Sequence, residues 1–87
     1  MPFTEINSDL FSDNKISVIE LLIAAKLVPS KGEARRLIKQ GGISVLLKNN
    51  TKKIQSITET LDFSDFDYNF VIIKKGKKTF HKIILKN

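Results

Sequence analysis

The sequence has no cysteine, so it can form neither a disulfide framework nor a thiolate metal site, and this fits a reducing compartment. Its single histidine, His81, argues further against a metal centre. Long apolar runs are also missing. The longest, Val18 to Val28, is broken by Glu20 and Lys26 and falls short of the roughly 20 residues a membrane-spanning helix needs. No basic segment precedes it, which argues against a secretory signal, so a cytoplasmic location without a membrane partner is expected. Glycine and proline are scarce, at four and two, so each one present is informative punctuation.

What remains is enough for one small domain: 87 residues, 41% hydrophobic and 28% charged. The net charge of +6 is unevenly placed. Residues 1–30 are slightly acidic, with Glu5, Asp9, Asp13 and Glu20 against Lys15 and Lys26. Residues 31–58 carry Lys31, Arg35, Arg36, Lys39, Lys48, Lys52 and Lys53 against Glu33 alone. An acidic stretch with Glu59, Asp62, Asp65 and Asp67 follows, and then Lys74, Lys75, Lys77, Lys78, Lys82 and Lys86. Two basic blocks on one face would attract a polyanion, and nucleic acid is the commonest in the cytosol. Scattered solubilising lysines would give the same totals, so charge alone leaves both readings open.

The best-signalled element is Ser30 to Gly42. Ser30 and Glu33 have capping-box spacing, and at about 100° per residue Ala34, Leu37 and Ile38 share one arc while Gly32, Arg35, Arg36 and Lys39 lie roughly opposite. Gly41 suits a left-handed cap and Gly42 a sharp exit. Upstream, Met1 to Asn14 has no sustained period and reads as a linker or extended arm, leaving residues 15–87 as the domain. Ser17 and Glu20 form a second capping-box pattern before an apolar helix over about 18–26. Leu27-Val28-Pro29 then forces a turn. Downstream, Ile43–Leu47 and Lys52–Ile57 read as paired strands around the turn formers Lys48 to Thr51. Thr58 to Asp67 reads as an irregular connection pinned by Leu61, Phe63 and Phe66. Phe70–Ile73 and Thr79–Leu85 flank Lys74-Lys75-Gly76-Lys77-Lys78, a hairpin signal. The fold class expected is α+β, with two short helices packed on a small, mostly antiparallel β-sheet.

No catalytic or metal-binding constellation is apparent. Ser30-Lys31-Gly32 lacks the run a phosphate loop requires. His81 lies in a strand pattern without an identifiable nucleophile and reads as a packed or surface histidine. Asp62, Asp65 and Asp67 lack calcium-loop spacing. The cationic helix and the lysine-rich hairpin tip remain, a combination able to contact several phosphates.

The run from Ser30 to Val45 closely resembles the RNA-binding domain named after the fourth protein of the small ribosomal subunit. It is most similar to the version at the C-terminus of bacterial tyrosyl-tRNA synthetases. Leu21-Leu22 to Leu27-Val28 resembles that family's first helix, and Lys75-Gly76-Lys77-Lys78-Thr79-Phe80-His81 its closing hairpin, so the resemblance covers about residues 3–87. The family usually places a short Asn-Gly turn soon after the first strand. Here Val45 is followed by Leu46-Leu47-Lys48-Asn49-Asn50-Thr51, and a longer hairpin is expected.

The resemblance implies a tRNA-binding module, not a complete enzyme: a C-terminal domain joined to a synthetase through the region before Lys15. Its implied partners are tyrosine tRNA, with the long variable arm as the part gripped, and the catalytic domain of the parent. ATP and tyrosine would be used by that parent, and no cofactor is expected in this chain, which is expected to be monomeric when isolated. The RNA-binding residues implied are Lys31, Gly32, Arg35, Arg36, Lys39 and Gln40 on the helix and Lys74, Lys75, Lys77 and Lys78 on the hairpin. Recognition of shape and backbone is expected, because A-form major grooves exclude side chains. Three other readings stay open: a free-standing ribosome- or tRNA-associated protein of the same superfamily, a DNA-reading helix-turn-helix, and a protein-docking module using Phe3, Phe11, Phe63 and Phe66.

Overall fold

The computed structural model describes residues 2–47, 50–66 and 69–86. The expected class is borne out. The helices α1 (Val18–Ala24) and α2 (Lys31–Lys39) lie among the strands β1 (Phe3–Asn7), β2 (Lys15–Ser17), β3 (Ile43–Leu46), β4 (Thr51–Lys53), β5 (Thr60–Asp62), β6 (Phe70–Lys75) and β7 (Thr79–Lys86). Five strands form one sheet in the order β1-β7-β6-β3-β4, antiparallel except for the parallel edge pair β1/β7, and β2 and β5 form a second, two-stranded sheet.

Side-chain alternation divides the main sheet into two unlike faces. Ile43, Val45, Val71, Ile73, His81, Ile83, Leu85 and Ile6 are buried on one face. Register places Val45 opposite Ile73 and Ile73 opposite His81, so these side chains form one cross-strand row. Both helices cover that face. α1 contributes the buried Val18, Ile19, Leu21 and Leu22, and α2 contributes Ala34 and Ile38. Each fully buried Leu or Ile is worth about 1.5–3 kcal/mol relative to exposure, so this single core accounts for the stability of a chain without cysteine.

Both helices end in the same way for different reasons. At the end of α2, Gly41 has φ +74°, its N–H donates to Ile38 O (3.0 Å), and Gly42 N–H donates to Leu37 O (2.9 Å), the paired bonds of a Schellman cap. α1 closes with the equivalent bonds, Lys26 N–H to Ile23 O and Leu27 N–H to Leu22 O (both 3.0 Å), although here a lysine occupies the left-handed position at φ +60°. That ends α1 at Ala24, before the expected residue 26. At the helix starts, Ser17 Oγ accepts from Ile19 N–H (3.1 Å) and Ser30 Oγ from Glu33 N–H (3.3 Å). The Ser30 box is only half made, because the Glu33 carboxylate pairs with Arg36 one turn on.

The structure departs from the sequence reading in three stretches. The expected arm contains β1, hydrogen-bonded along β7, and a two-residue turn at Asp13-Asn14, both at positive φ, closed by reciprocal Ser12 and Lys15 backbone bonds of 2.7 and 3.0 Å. The expected irregular connection contains β5, which pairs with β2, while Phe63 and Phe66 each meet Phe11 edge-on at 5.4 Å. β4 ends at Lys53, earlier than the expected Ile57, after which Ile54 N–H makes one further bond to Ile43 O (3.0 Å). Lys48 and Asn49 of the expected turn and Asp67 of the acidic connection lie outside the described residues.

Candidate nucleic-acid interface

Burial of Ala34 and Ile38 fixes the rotation of α2, and that rotation leaves Lys31, Gly32, Arg35, Arg36, Lys39 and Gln40 exposed on its outer side. At the N-terminus, the first helical bond is Ala34 N–H to Ser30 O (3.1 Å), and the Ser30 side chain takes Glu33 N–H. The N–H groups of Lys31 and Gly32 therefore emerge from the helix start, where the macrodipole also favours an anion. A Cβ built on Gly32 would meet only Ser30 Oγ, at 3.9 Å, so internal packing does not require glycine there. Lys31 approaches Glu20 across the surface at 3.9 Å, and Arg36 is held by Glu33. Among the described residues, Arg35 and Lys39 form no ion pair.

The second basic block is brought to the C-terminal end of α2. Gly76, at the tip of the β6–β7 hairpin with φ +69°, donates its N–H to Gly42 O at 2.7 Å. Lys77 and Lys78 follow directly and are exposed. Alternation along β6 separates the other two lysines. Lys75 points to the helix side, where its Nζ donates to Leu27 O at 2.8 Å in the α1–α2 turn. That lysine caps a backbone carbonyl and braces the hairpin against the helical layer. Lys74 points to the opposite face of the sheet, its Nζ 5.8 Å from the Phe80 ring centroid. The sequence-predicted residues thus comprise a helix group joined at one end by Lys77 and Lys78, one structural lysine, and one lysine on the far face.

Sequence reasoning missed Lys53. Its side chain runs beside Gly41, with Cε 3.3 Å and Nζ 3.4 Å from where a Cβ there would stand, next to the negative end of the α2 dipole. The signal was the period-2 pattern in β4. Lys52 and Lys53 face opposite ways, Lys52 pairs with Glu59 at 2.7 Å, and Lys53 is left to extend the cationic surface. His81, 8% exposed, is packed beneath the helices, with Nε2 2.7 Å from Thr4 Oγ1, and burial lowers its pKa from the ordinary value. Three of the four aromatics considered for protein docking, Phe11, Phe63 and Phe66, are engaged with one another. Among the described residues no helix is long and apolar enough to cross a membrane, and no cluster of three or more His, Cys, Asp or Glu side chains could hold a metal.

Comparison with known proteins gives a consistent result. A family model described as the tyrosine–tRNA ligase SYY-like C-terminal domain matches residues 1–83. A tyrosine–tRNA ligase of Acetivibrio thermocellus is 48% identical over 85 residues, covering 98% of this chain and 20% of the relative. The enzyme of the same name from Clostridium tetani is 36% identical over 86 residues, covering 99% of this chain and 19% of the relative. One from Clostridium perfringens is 43% identical over 68 residues, 78% of this chain and 16% of the relative. The chain spans about a fifth of the length of the curated relatives it matches.

Proposed function

Since the chain belongs to the family of tyrosine–tRNA ligase SYY-like C-terminal domains, we propose that it is a tRNA-binding module that grips tyrosine tRNA by its phosphate backbone and shape. One observation carries this reading: the Gly76-to-Gly42 hydrogen bond, which sets the lysine-rich hairpin tip against the C-terminal end of the cationic helix. On α2, Lys31, Arg35, Arg36, Lys39 and Gln40 would engage successive phosphates and riboses, and Gly32 would admit a phosphate to the exposed N–H groups. Lys77 and Lys78 would extend the same track at the hairpin tip, with Lys53 at the edge strand beside Gly41. The long variable arm of tyrosine tRNA is the element proposed to lie along this track. Its wide, shallow minor groove is readable by shape and 2′-hydroxyls, whereas its deep groove is closed to side chains.

In this proposal the domain contributes binding and no chemistry. Activation of tyrosine with ATP would belong to a catalytic domain elsewhere in a longer cytoplasmic protein, and the isolated module would be monomeric. The test is titration of the 87-residue chain with tyrosine tRNA and with a tRNA lacking the long variable arm. Stronger binding of the former is expected. With about four to six phosphates engaged, the log–log salt slope should be on the order of −3 to −5. Replacing Arg35 and Arg36 together by Ala should weaken binding while preserving the fold, and equal affinity of variant and parent would remove α2 from the interface.

A further inference from the structure

The face of the main sheet turned away from the helices has its own composition. Register lines up Phe80, Lys74, Ser44 and Lys53 in one row across β7, β6, β3 and β4, and Phe3, Lys82, Ile72, Leu46 and Thr51 in the next. Phe70 and Ile84 follow in a third row. Phe3 is 59% exposed, and Phe70 and Phe80 are half-buried. Lysines stand over the rings: Lys82 Nζ lies 4.3 Å from the Phe70 centroid and Lys74 Nζ 5.8 Å from that of Phe80. Among the described strand residues of this face, the only acid is Glu5, which approaches Lys86 at 3.9 Å. At the hairpin end the surface opens into a cleft of about 410 Å³ with chiefly apolar walls, lined by Pro2, Lys78, Thr79 and Phe80. That volume falls within the roughly 300–1,000 Å³ typical of small-ligand clefts.

We propose that this cleft receives one unpaired nucleobase of the bound RNA, stacked on Phe80 beside Pro2, with the flanking phosphates held by Lys74 and Lys78. The inference rests on the tRNA-binding reading above and adds a second contact to it, on the opposite side of the hairpin. Aromatic rings interleaved with lysines are what a single-stranded nucleic acid requires, since every base offers a π-face and every linkage a negative charge. A polypeptide partner of ordinary polarity would find four lysines, Lys53, Lys74, Lys82 and Lys86, against one glutamate, and no complementary acids. Lys78 belongs to both surfaces. An RNA strand leaving the helix track at the hairpin tip would therefore pass directly over the cleft. The occupant proposed is a looped-out or unpaired nucleotide, because only an unstacked base offers its face to the Phe80 ring.

The chain has no tryptophan, so Phe80→Trp introduces a single indole in the cleft. Titration of that variant with a short oligouridylate and with an abasic sugar–phosphate chain of equal length separates stacking from charge. The expected result is quenching by the first and none by the second. Phe80→Leu, which keeps an apolar side chain, should lower tRNA affinity by about 5- to 100-fold, the loss of one base–aromatic stack, without changing the salt slope. Equal quenching by both ligands, or unchanged tRNA affinity in Phe80→Leu, would overturn the proposal. Loss of affinity on Arg35→Ala/Arg36→Ala with none in Phe80→Leu would remove the cleft alone, whereas failure of the parent chain to bind tRNA would remove the functional reading itself.

Discussion

Replacing Gly32 by Ala should strengthen the fold and weaken RNA binding, and the opposite signs make it the most informative single substitution. The added Cβ would lie 3.9 Å from Ser30 Oγ, an ordinary contact, and Gly32 is not at a positive φ, so the change introduces no clash and no backbone strain. Alanine is favoured over glycine in a helix by roughly 0.5–1 kcal/mol, chiefly through the entropy glycine loses on folding. For a chain of this size, that corresponds to a rise in Tm of about 2–8 °C. The effect on binding arises from direction. Helical Cα–Cβ bonds tilt toward the N-terminus, so the new methyl group would stand beside the Lys31 and Gly32 N–H groups and hold a phosphate away from them. Loss of one hydrogen bond to a charged group costs about 1.5–3 kcal/mol, or roughly 10- to 150-fold in Kd. Urea denaturation and tRNA titration of the same preparation measure both quantities. A more stable variant with unchanged affinity would show that no phosphate sits at the helix start, and a less stable one would contradict the local geometry.

Lys26→Gly should stabilise the chain by about 1 kcal/mol, because a β-carbon at φ +60° costs roughly 1–2 kcal/mol that glycine does not incur; an unchanged urea midpoint would mean the left-handed cap of α1 carries no strain. Lys75→Met removes the bond to Leu27 O, so it should lower stability by about 1 kcal/mol and leave the salt slope of RNA binding in place. The pair Lys77→Ala/Lys78→Ala should do the reverse, with the slope reduced by about 1.5–2 and the denaturation midpoint unmoved. Burial lowers the pKa of His81, so the folded chain resists a proton that the unfolded chain accepts near the ordinary imidazole value of 6.5. The contribution of neutral His81 is therefore complete above that value and is lost as pH falls below it and through the lowered folded pKa, a decline that His81→Gln should flatten in denaturation midpoints taken between pH 7.5 and 5.5.

The parts of the fold readable from sequence are those in which local signals and burial agree. α2 is the clearest case: its serine cap, its apolar arc at helical spacing and its left-handed glycine all specify the same element, and the rotation that presents Arg35 and Lys39 follows directly. β1 gives no such signal. Phe3-Thr4-Glu5-Ile6-Asn7 alternates over too few residues, and only Ile6 is deeply buried, because an edge strand in parallel pairing is held mainly by backbone bonds to β7. β5 was obscured for a similar reason, since its partner β2 lies 43 residues upstream by the Ser17–Thr60 register and pairs through Leu61 and Ile16 alone as buried residues. The Asp13-Asn14 turn was in principle legible, since both residue types tolerate positive φ and are favoured in two-residue hairpins.

The candidate site shows the same division at the level of single side chains. A run such as Lys74-Lys75-Gly76-Lys77-Lys78 reads in sequence as one cationic cluster. Strand alternation makes it three: Lys75 under the helices on the Leu27 carbonyl, Lys74 above the Phe80 ring, and Lys77 with Lys78 at the tip beside Gly42. Charge counting cannot make that separation, because it depends on which residue of the hairpin the turn places at φ +69°. A shift of one residue at Gly76 would exchange the faces of Lys74 and Lys75, uncapping Leu27 and burying the wrong ammonium. The hairpin glycine therefore does more than close a turn: by fixing the register it decides which lysines are structural and which remain available for phosphate.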